Sequence, residues 1–198
     1  MAIFYHGTPK LFDRFDLSHA LEGDGKVKFG YGVYVTERYA TAAHYAAGRD
    51  KVVDPNKHYY VYTIEVPDKK EDNYLRSIGD VHPSIIKRAE KKIGETIPAE
   101  VACSGKLFRK WIGNRSIGMT GTSKKLSGSA SLEAEKAASM FLLEIGVDLL
   151  EWPVAQTVPD GLQNRAILDD SAVRITKIEE VQLDDKMQLI EGSQKMIR

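Results

Sequence analysis

Three short clusters hold the residue types in this chain that could do chemistry. They are His6-Gly7-Thr8, the stretch Phe29-Gly30-Tyr31-Gly32-Val33-Tyr34 followed eleven positions later by Tyr45, and Asn164 at the head of Asn164-Arg165-Ala166-Ile167-Leu168-Asp169. Electron-rich tyrosine rings suit a flat cationic group, each contact contributing about 0.5–2 kcal/mol. Glycines permit a close approach to the backbone. An amide such as that of Asn164 donates and accepts hydrogen bonds but takes no proton. Gly30 and Gly32 alone do not make a dinucleotide fingerprint, because the third glycine that motif requires is Val35 here.

The elements that must carry these residues follow from local patterns. Residues 2–6 are a short apolar run ending in His6-Gly7-Thr8-Pro9, a strand running into a turn. Val33 to Thr36 alternate as a strand does, and Glu37 to Ala47 are rich in alanine. The latter segment is expected to be a helix capped by Thr36 and ended by Gly48. A glycine-bent strand feeding such a helix makes a cleft floor, onto which Tyr34 and Tyr45 would face. Phe12 and Phe15 are spaced to anchor a connecting loop, and residues 18–28, with Gly23-Asp24-Gly25, are expected to be a surface loop.

Further strands are expected over 58–66, 147–152, 164–169 and 172–178. Helices are expected over 83–94 and around 107–112, and from a Ser131 cap to Gly146. This order implies an α+β fold with a split, mostly antiparallel sheet. A single domain spans 1–181, with a basic insertion at about 101–131 and a polar tail over 182–198.

Composition narrows the function classes. At 198 residues, with 42% hydrophobic and 28% charged side chains, the chain is an ordinary globular domain with zero formal charge. One cysteine, Cys103, excludes an internal disulfide and a four-thiolate metal site, and its surroundings do not resemble those of a nucleophile. The N-terminus has no basic head, and no stretch approaches about 18 apolar residues. A cytoplasmic protein without membrane association is therefore expected. From Val101 to Leu132 there are cations but no acids, with Lys106, Arg109, Lys110, Lys124 and Lys125 among them. This stretch is either a solvated loop or a surface for an anionic partner.

Together the clusters resemble the ADP-ribosyltransferases of the diphtheria-toxin and poly(ADP-ribose) polymerase class, which place a histidine, a tyrosine and a glutamate on three strands. His6-Gly7-Thr8 matches the family's His-Gly-Ser/Thr, and Phe29 to Tyr34 matches its Phe-Gly-x-Gly-x-Tyr. Tyr45 lies at the family spacing for the second tyrosine. Met140 to Asp169 looks like small bacterial and phage-associated, toxin-like members, while residues 49–130 match nothing. The resemblance implies a sheet of the ADP-ribosyltransferase type, NAD as substrate and no metal. It implies that His6 holds the adenine-side ribose, that Gly7 and Thr8 meet the carboxamide, and that Gly30 and Gly32 shape the NAD site. Tyr34 and Tyr45 would stack on nicotinamide, and Asn164 would take the third catalytic place beside His6 and Tyr34. Such effectors act in their own cytoplasm or in that of a host.

Two departures shape the expected activity. Asn164 stands where the family has glutamate, five residues before Asp169, which argues against chain elongation. Ala42 stands where polymerases keep a serine for the carboxamide. The expectation is mono-ADP-ribosyl transfer to a macromolecule, protein or nucleic acid. NAD hydrolysis, an inactive NAD or ADP-ribose binder, and a nucleic-acid-binding domain built on the basic stretch are the alternatives. Glu151 and Asp160 are carboxylates that would have to swing into the site to serve it.

Overall fold

A computed structural model of the chain describes residues 1–19, 27–48, 53–54, 56–119, 128–155 and 161–198. In chain order the strands and helices are β1 (Ala2–Thr8), β2 (Val33–Thr36), α1 (Tyr39–Ala46), β3 (Tyr59–Val66), β4 (Tyr74–Arg76), α2 (Pro83–Ile93) and α3 (Ala99–Ala102). There follow α4 (Gly105–Ser116), α5 (Gly128–Glu144), β5 (Leu149–Pro153), β6 (Gln163–Ile167), β7 (Arg174–Val181) and β8 (Lys195–Met196).

Strand β3 is almost wholly aromatic and β-branched, and it pairs along its length with β1 and β7. Helix α2 has Pro83 at its start and ends on Gly94 in the left-handed region at φ 81°. Helix α4 is capped by Ser104, whose hydroxyl accepts the Leu107 N–H.

The eight strands form an α+β sheet in the order β4-β5-β6-β2-β1-β3-β7-β8, with β4/β5 the parallel pair and every other neighbour antiparallel. At its centre β1 and β2 pair only at Tyr5 and Thr36. Beyond that point β1 continues through His6, Gly7 and Thr8 without β2 beside it, so the sheet parts into two halves there. Period-2 alternation sorts the side chains into layers. Val33, Val35, Leu149 and Ile167 meet Phe4, Tyr62, Ile64 and Ile178 between the halves. Leu150, Trp152 and Ala166 face α2, α4 and α5. Helix α1 covers Tyr59, Val61 and Val181 on the other half.

Several local expectations change. Helix α1 begins at Tyr39 with Arg38 as its uncapped N-cap residue, and the Thr36 hydroxyl instead accepts the Arg38 N–H at 3.4 Å. Thr36 is needed for pairing with Asn164 in the sheet, so it cannot also open the helix. Glu37 bonds the Gln163 N–H at 2.8 Å rather than lying in the helix's first turn. Helix α4 is longer than 107–112: Ser104 caps it at one end, and Gly113 and Asn114 stay buried at the other. The basic stretch at 101–131 is thus largely core helix over its first half. Residues 20–26, Lys124, Lys125 and Asp160 lie outside the described residues. The C-terminal segment is joined to the sheet: Leu183 bridges Leu189, and β8 pairs with β7.

Candidate functional site

The parting of β1 from β2 opens into a cavity of about 630 Å³. His6, Gly7, Thr8, Gly32, Tyr34, Tyr45 and Asn164 all line it, and Gly30 does not. Register explains part of this convergence. Asn164 on β6 lies opposite Thr36 on β2, and Thr36 lies opposite Tyr5 on β1, so residue 164 comes within two strands of His6.

His6 is half-buried among Phe12, Phe15 and Tyr62, with the Phe15 ring edge-on at 5.1 Å. Its Nδ1–H donates to the Tyr34 carbonyl at 2.7 Å, a role only the N–H can fill because a carbonyl accepts. That leaves Nε2 as an acceptor. Burial among the rings holds the imidazole pKa below its ordinary 6.5, against the opposing effect of the bond to Tyr34.

Tyr34 is anchored through its hydroxyl, which donates to the Gly30 carbonyl at 2.8 Å and accepts the Phe29 N–H at 3.1 Å. Burial pushes that hydroxyl's pKa up to about 12. Trp152 meets the Tyr34 ring edge-on at 5.3 Å and stacks flat on Phe29 at 4.3 Å, with 3° between the planes. Tyr45, on α1, is 57% exposed, an aromatic surface at the cavity mouth.

Asn164 is 5% exposed and borders the cavity. Its side-chain amide has no hydrogen-bond partner among the described residues. Neither atom of the amide is among the fully buried unpartnered ones, so the group is open to the cavity it borders. The donor and acceptor are therefore available to a ligand in the cavity.

The glycines turn out to serve the protein's own packing. A Cβ on Gly7 would lie 1.7 Å from the Ala42 carbonyl oxygen, so α1 rests directly on β1 there. The approach that Gly7 permits on its side-chain face is that of a helix, not of a ligand. A Cβ on Gly32 would lie 2.6 Å from the Ile167 carbonyl oxygen of β6. Gly30 takes φ 117° in the loop behind Tyr34 and is not among the residues that line the cavity. The Thr8 hydroxyl accepts the Lys10 N–H at 3.2 Å, closing the turn after β1.

Two expected participants are committed elsewhere. Arg109 is 3% exposed and ion-paired with Glu135 at 3.0 Å, so it is no part of a surface for an anionic partner. Lys106 is exposed and Lys110 half-buried. Glu151, buried between Lys69 at 2.8 Å and Arg165 at 3.2 Å, is not a cavity carboxylate. Phe12, Phe15 and Trp152 join the site beyond the sequence-identified set. The phenylalanines are legible as loop anchors, but their contact with His6 is not. Trp152 becomes visible only once β5 and β6 are aligned, where it lies opposite Asn164.

Lys10, Arg14 and Lys28 border the cavity with Asp16 as the carboxylate among them. Among the described residues no group of histidines, cysteines or carboxylates is arranged to hold a metal, and no helix is long and apolar enough to cross a membrane. Protein-family models and curated proteins were both compared with the sequence, and neither comparison gives a match.

Proposed function

We propose that the chain is a mono-ADP-ribosyltransferase that cleaves NAD at the nicotinamide–ribose bond and transfers ADP-ribose to a macromolecular acceptor. The observation that carries this reading is the meeting of His6, Tyr34 and Asn164, from three different strands, where β1 parts from β2. The amide of Asn164, open to the cavity and without a hydrogen-bond partner among the described residues, is the kind of group a ribose hydroxyl would satisfy.

Breaking this bond leaves positive character on the ribose while nicotinamide departs as a neutral ring, a transition state like that of glycoside hydrolysis. Tyr34 and Tyr45 supply aromatic faces for the cationic ring before it leaves. Neutral His6 offers Nε2 to a ribose hydroxyl. Lys10, Arg14 and Lys28 offset the charge of a pyrophosphate. The acceptor's nucleophilic atom then bonds to the anomeric carbon as the bond to nicotinamide breaks, and its proton passes to solvent water. The reaction needs no metal, and EDTA is expected to leave it unchanged.

An NAD-binding protein without turnover is the second reading. It is favoured by the fact that Asn164 cannot take a proton and that Glu151 is fixed in its own ion pairs. The test for both is turnover of NAD labelled in the adenine, with lysate as acceptor source, followed by protease and nuclease digestion. Label attached to a macromolecule supports transfer, and free ADP-ribose indicates hydrolysis. NAD binding without nicotinamide release supports the second reading, and no binding at all sinks both.

A further inference from the structure

The loop 28–34 that carries Tyr34 has little regular structure of its own, since β2 begins only at Val33 and Gly30 takes φ 117°. Beyond the Tyr34 hydroxyl's own bonds and the Trp152 stack on Phe29, its fixed points come from α4 and α5. The Arg109 Nη2 donates to the Lys28 carbonyl at 3.2 Å and to Glu135 Oε1 at 3.4 Å, while its Nε lies 3.0 Å from Glu135 Oε2. One turn along α5 from Glu135, the Ser139 hydroxyl accepts the Tyr31 N–H at 3.2 Å. A Cβ on Gly30 would come 3.2 Å from Arg109 Nη1, so the loop lies directly on the guanidinium.

A buried guanidinium–carboxylate pair is a poor way to gain stability, because an apolar pair of similar volume often serves as well or better. Burial acts against both charges here, lowering the Arg109 pKa and raising that of Glu135. What the pair supplies and an apolar pair would not is direction. The planar guanidinium, ion-paired with Glu135, keeps Nη2 aimed at the Lys28 carbonyl while the same nitrogen reaches Glu135 Oε1.

We propose that Arg109, oriented by Glu135, is a positioning residue that fixes loop 28–34 so that Tyr34 presents its ring to the cavity in a single orientation. The proposal rests on the reading of the cavity as an NAD site, because the benefit of a fixed Tyr34 is recognition of the nicotinamide ring. Neither member of the pair lines the cavity.

The test removes both charges together, so that no lone ion is left buried, in the double variant Arg109→Met with Glu135→Met. Arg109→Lys is the companion, since an ammonium keeps the charge but lacks the planar group that carries Nη2 to the Lys28 carbonyl while Nε lies beside Glu135 Oε2. Three readouts are taken on the full chain: thermal unfolding, amide exchange of residues 28–34, and binding of NAD beside free ADP-ribose, which lacks nicotinamide. The double variant is expected to remain cooperatively folded and to lose about tenfold or more of the protection at the Phe29 and Tyr31 amides. NAD affinity should fall about tenfold, while ADP-ribose affinity changes by less than about twofold. Arg109→Lys should give the same pattern more weakly, and it carries the test if the double variant does not fold.

Unchanged exchange at 28–34 overturns the proposal, and so does an equal loss of NAD and ADP-ribose binding, which would mark the pair as merely structural. If the wild type binds neither ligand, the NAD reading fails and the part of the proposal that concerns nicotinamide falls with it. The exchange comparison then decides separately whether Arg109 fixes the loop.

Discussion

His6 donates its Nδ1–H to the carbonyl of Tyr34 across the opening between β1 and β2, at 2.7 Å. Where the sheet's own ladder stops after Tyr5 and Thr36, this side-chain bond ties the two halves together again. The same bond sets the tautomer of His6 and leaves Nε2 as its acceptor. One imidazole therefore both spans the parting and borders the cavity.

That arrangement predicts a pH dependence. The folded pKa of His6 lies below 6.5, so as pH falls below 6.5 the unfolded chain takes up a proton before the native one does. Stability from this residue is present above 6.5 and is lost as pH falls toward the folded pKa. NAD binding should weaken only as the pH approaches that lower pKa, where the Nε2 acceptor is protonated. An NMR titration of the ring, with unfolding measured against pH for the wild type and His6→Gln, checks both statements. An imidazole that titrates at or above 6.5 in the folded protein would contradict them.

The aromatic wall makes a second prediction. Tyr34→Ala should reduce NAD binding or turnover about tenfold or more, about 1.4 kcal/mol, with the fold retained. Tyr34→Phe keeps the ring but loses the bonds to Phe29 and Gly30, so its effect should be intermediate. Tyr45 is exposed, and Tyr45→Ala should change stability by less than about 0.5 kcal/mol while still weakening NAD. Wild-type handling of NAD by both alanine variants would show that the ring binds elsewhere.

Variants at Asn164 distinguish the two proposed readings. Asn164→Ala should lower turnover about 10²-fold or more if the amide is a preorganised contact to the reacting ribose. Asn164→Glu should keep or raise NAD cleavage, because a carboxylate stabilises developing positive charge better than an amide. In a protein that only binds NAD, Asn164→Glu is the change expected to produce cleavage. Nicotinamide release from the three forms, side by side, distinguishes these cases, and indifference to both changes would remove Asn164 from the site.

Two glycines with different neighbours should respond differently to alanine. At Gly7 the new methyl would sit 1.7 Å from the Ala42 carbonyl oxygen, so α1 must shift, at about 1–3 kcal/mol or more. At Gly146 nothing lies within 4 Å and only φ 77° resists the change, a cost of about 1–2 kcal/mol. Gly7→Ala should also weaken NAD, because α1 carries Tyr45, while Gly146→Ala should not. Denaturant midpoints and NAD binding for both variants test the contrast.

The basic stretch yields the last prediction. If Lys106 and Lys110, with Lys124 and Lys125, meet an anionic acceptor, reversing these charges should abolish transfer and spare NAD binding. Added salt should depress transfer steeply. Arg109 is excluded from this set because it is buried in its pair with Glu135. Undiminished transfer by the reversed protein would return the segment to a solvated surface.

The residue order alone determines much of the α+β architecture, because the signals involved are local. The aromatic and β-branched run in β3, the proline opening α2, and the glycines at 94 and 146 act within a few residues of themselves. The types and spacings of His6, Tyr34, Tyr45 and Asn164 are likewise readable along the chain. Other properties depend on what lies opposite in space. Thr36 has the composition of a helix cap, yet its pairing with Asn164 claims it for the sheet. Gly7 has the composition of a ligand-contacting glycine, yet the backbone of α1 occupies that face. Arg109 sits in an acid-free stretch whose nearest partner, Glu135, arrives from the next helix. Only the tertiary structure decides such cases, because burial and pairing are properties of two segments together, and neither segment carries a mark of the other.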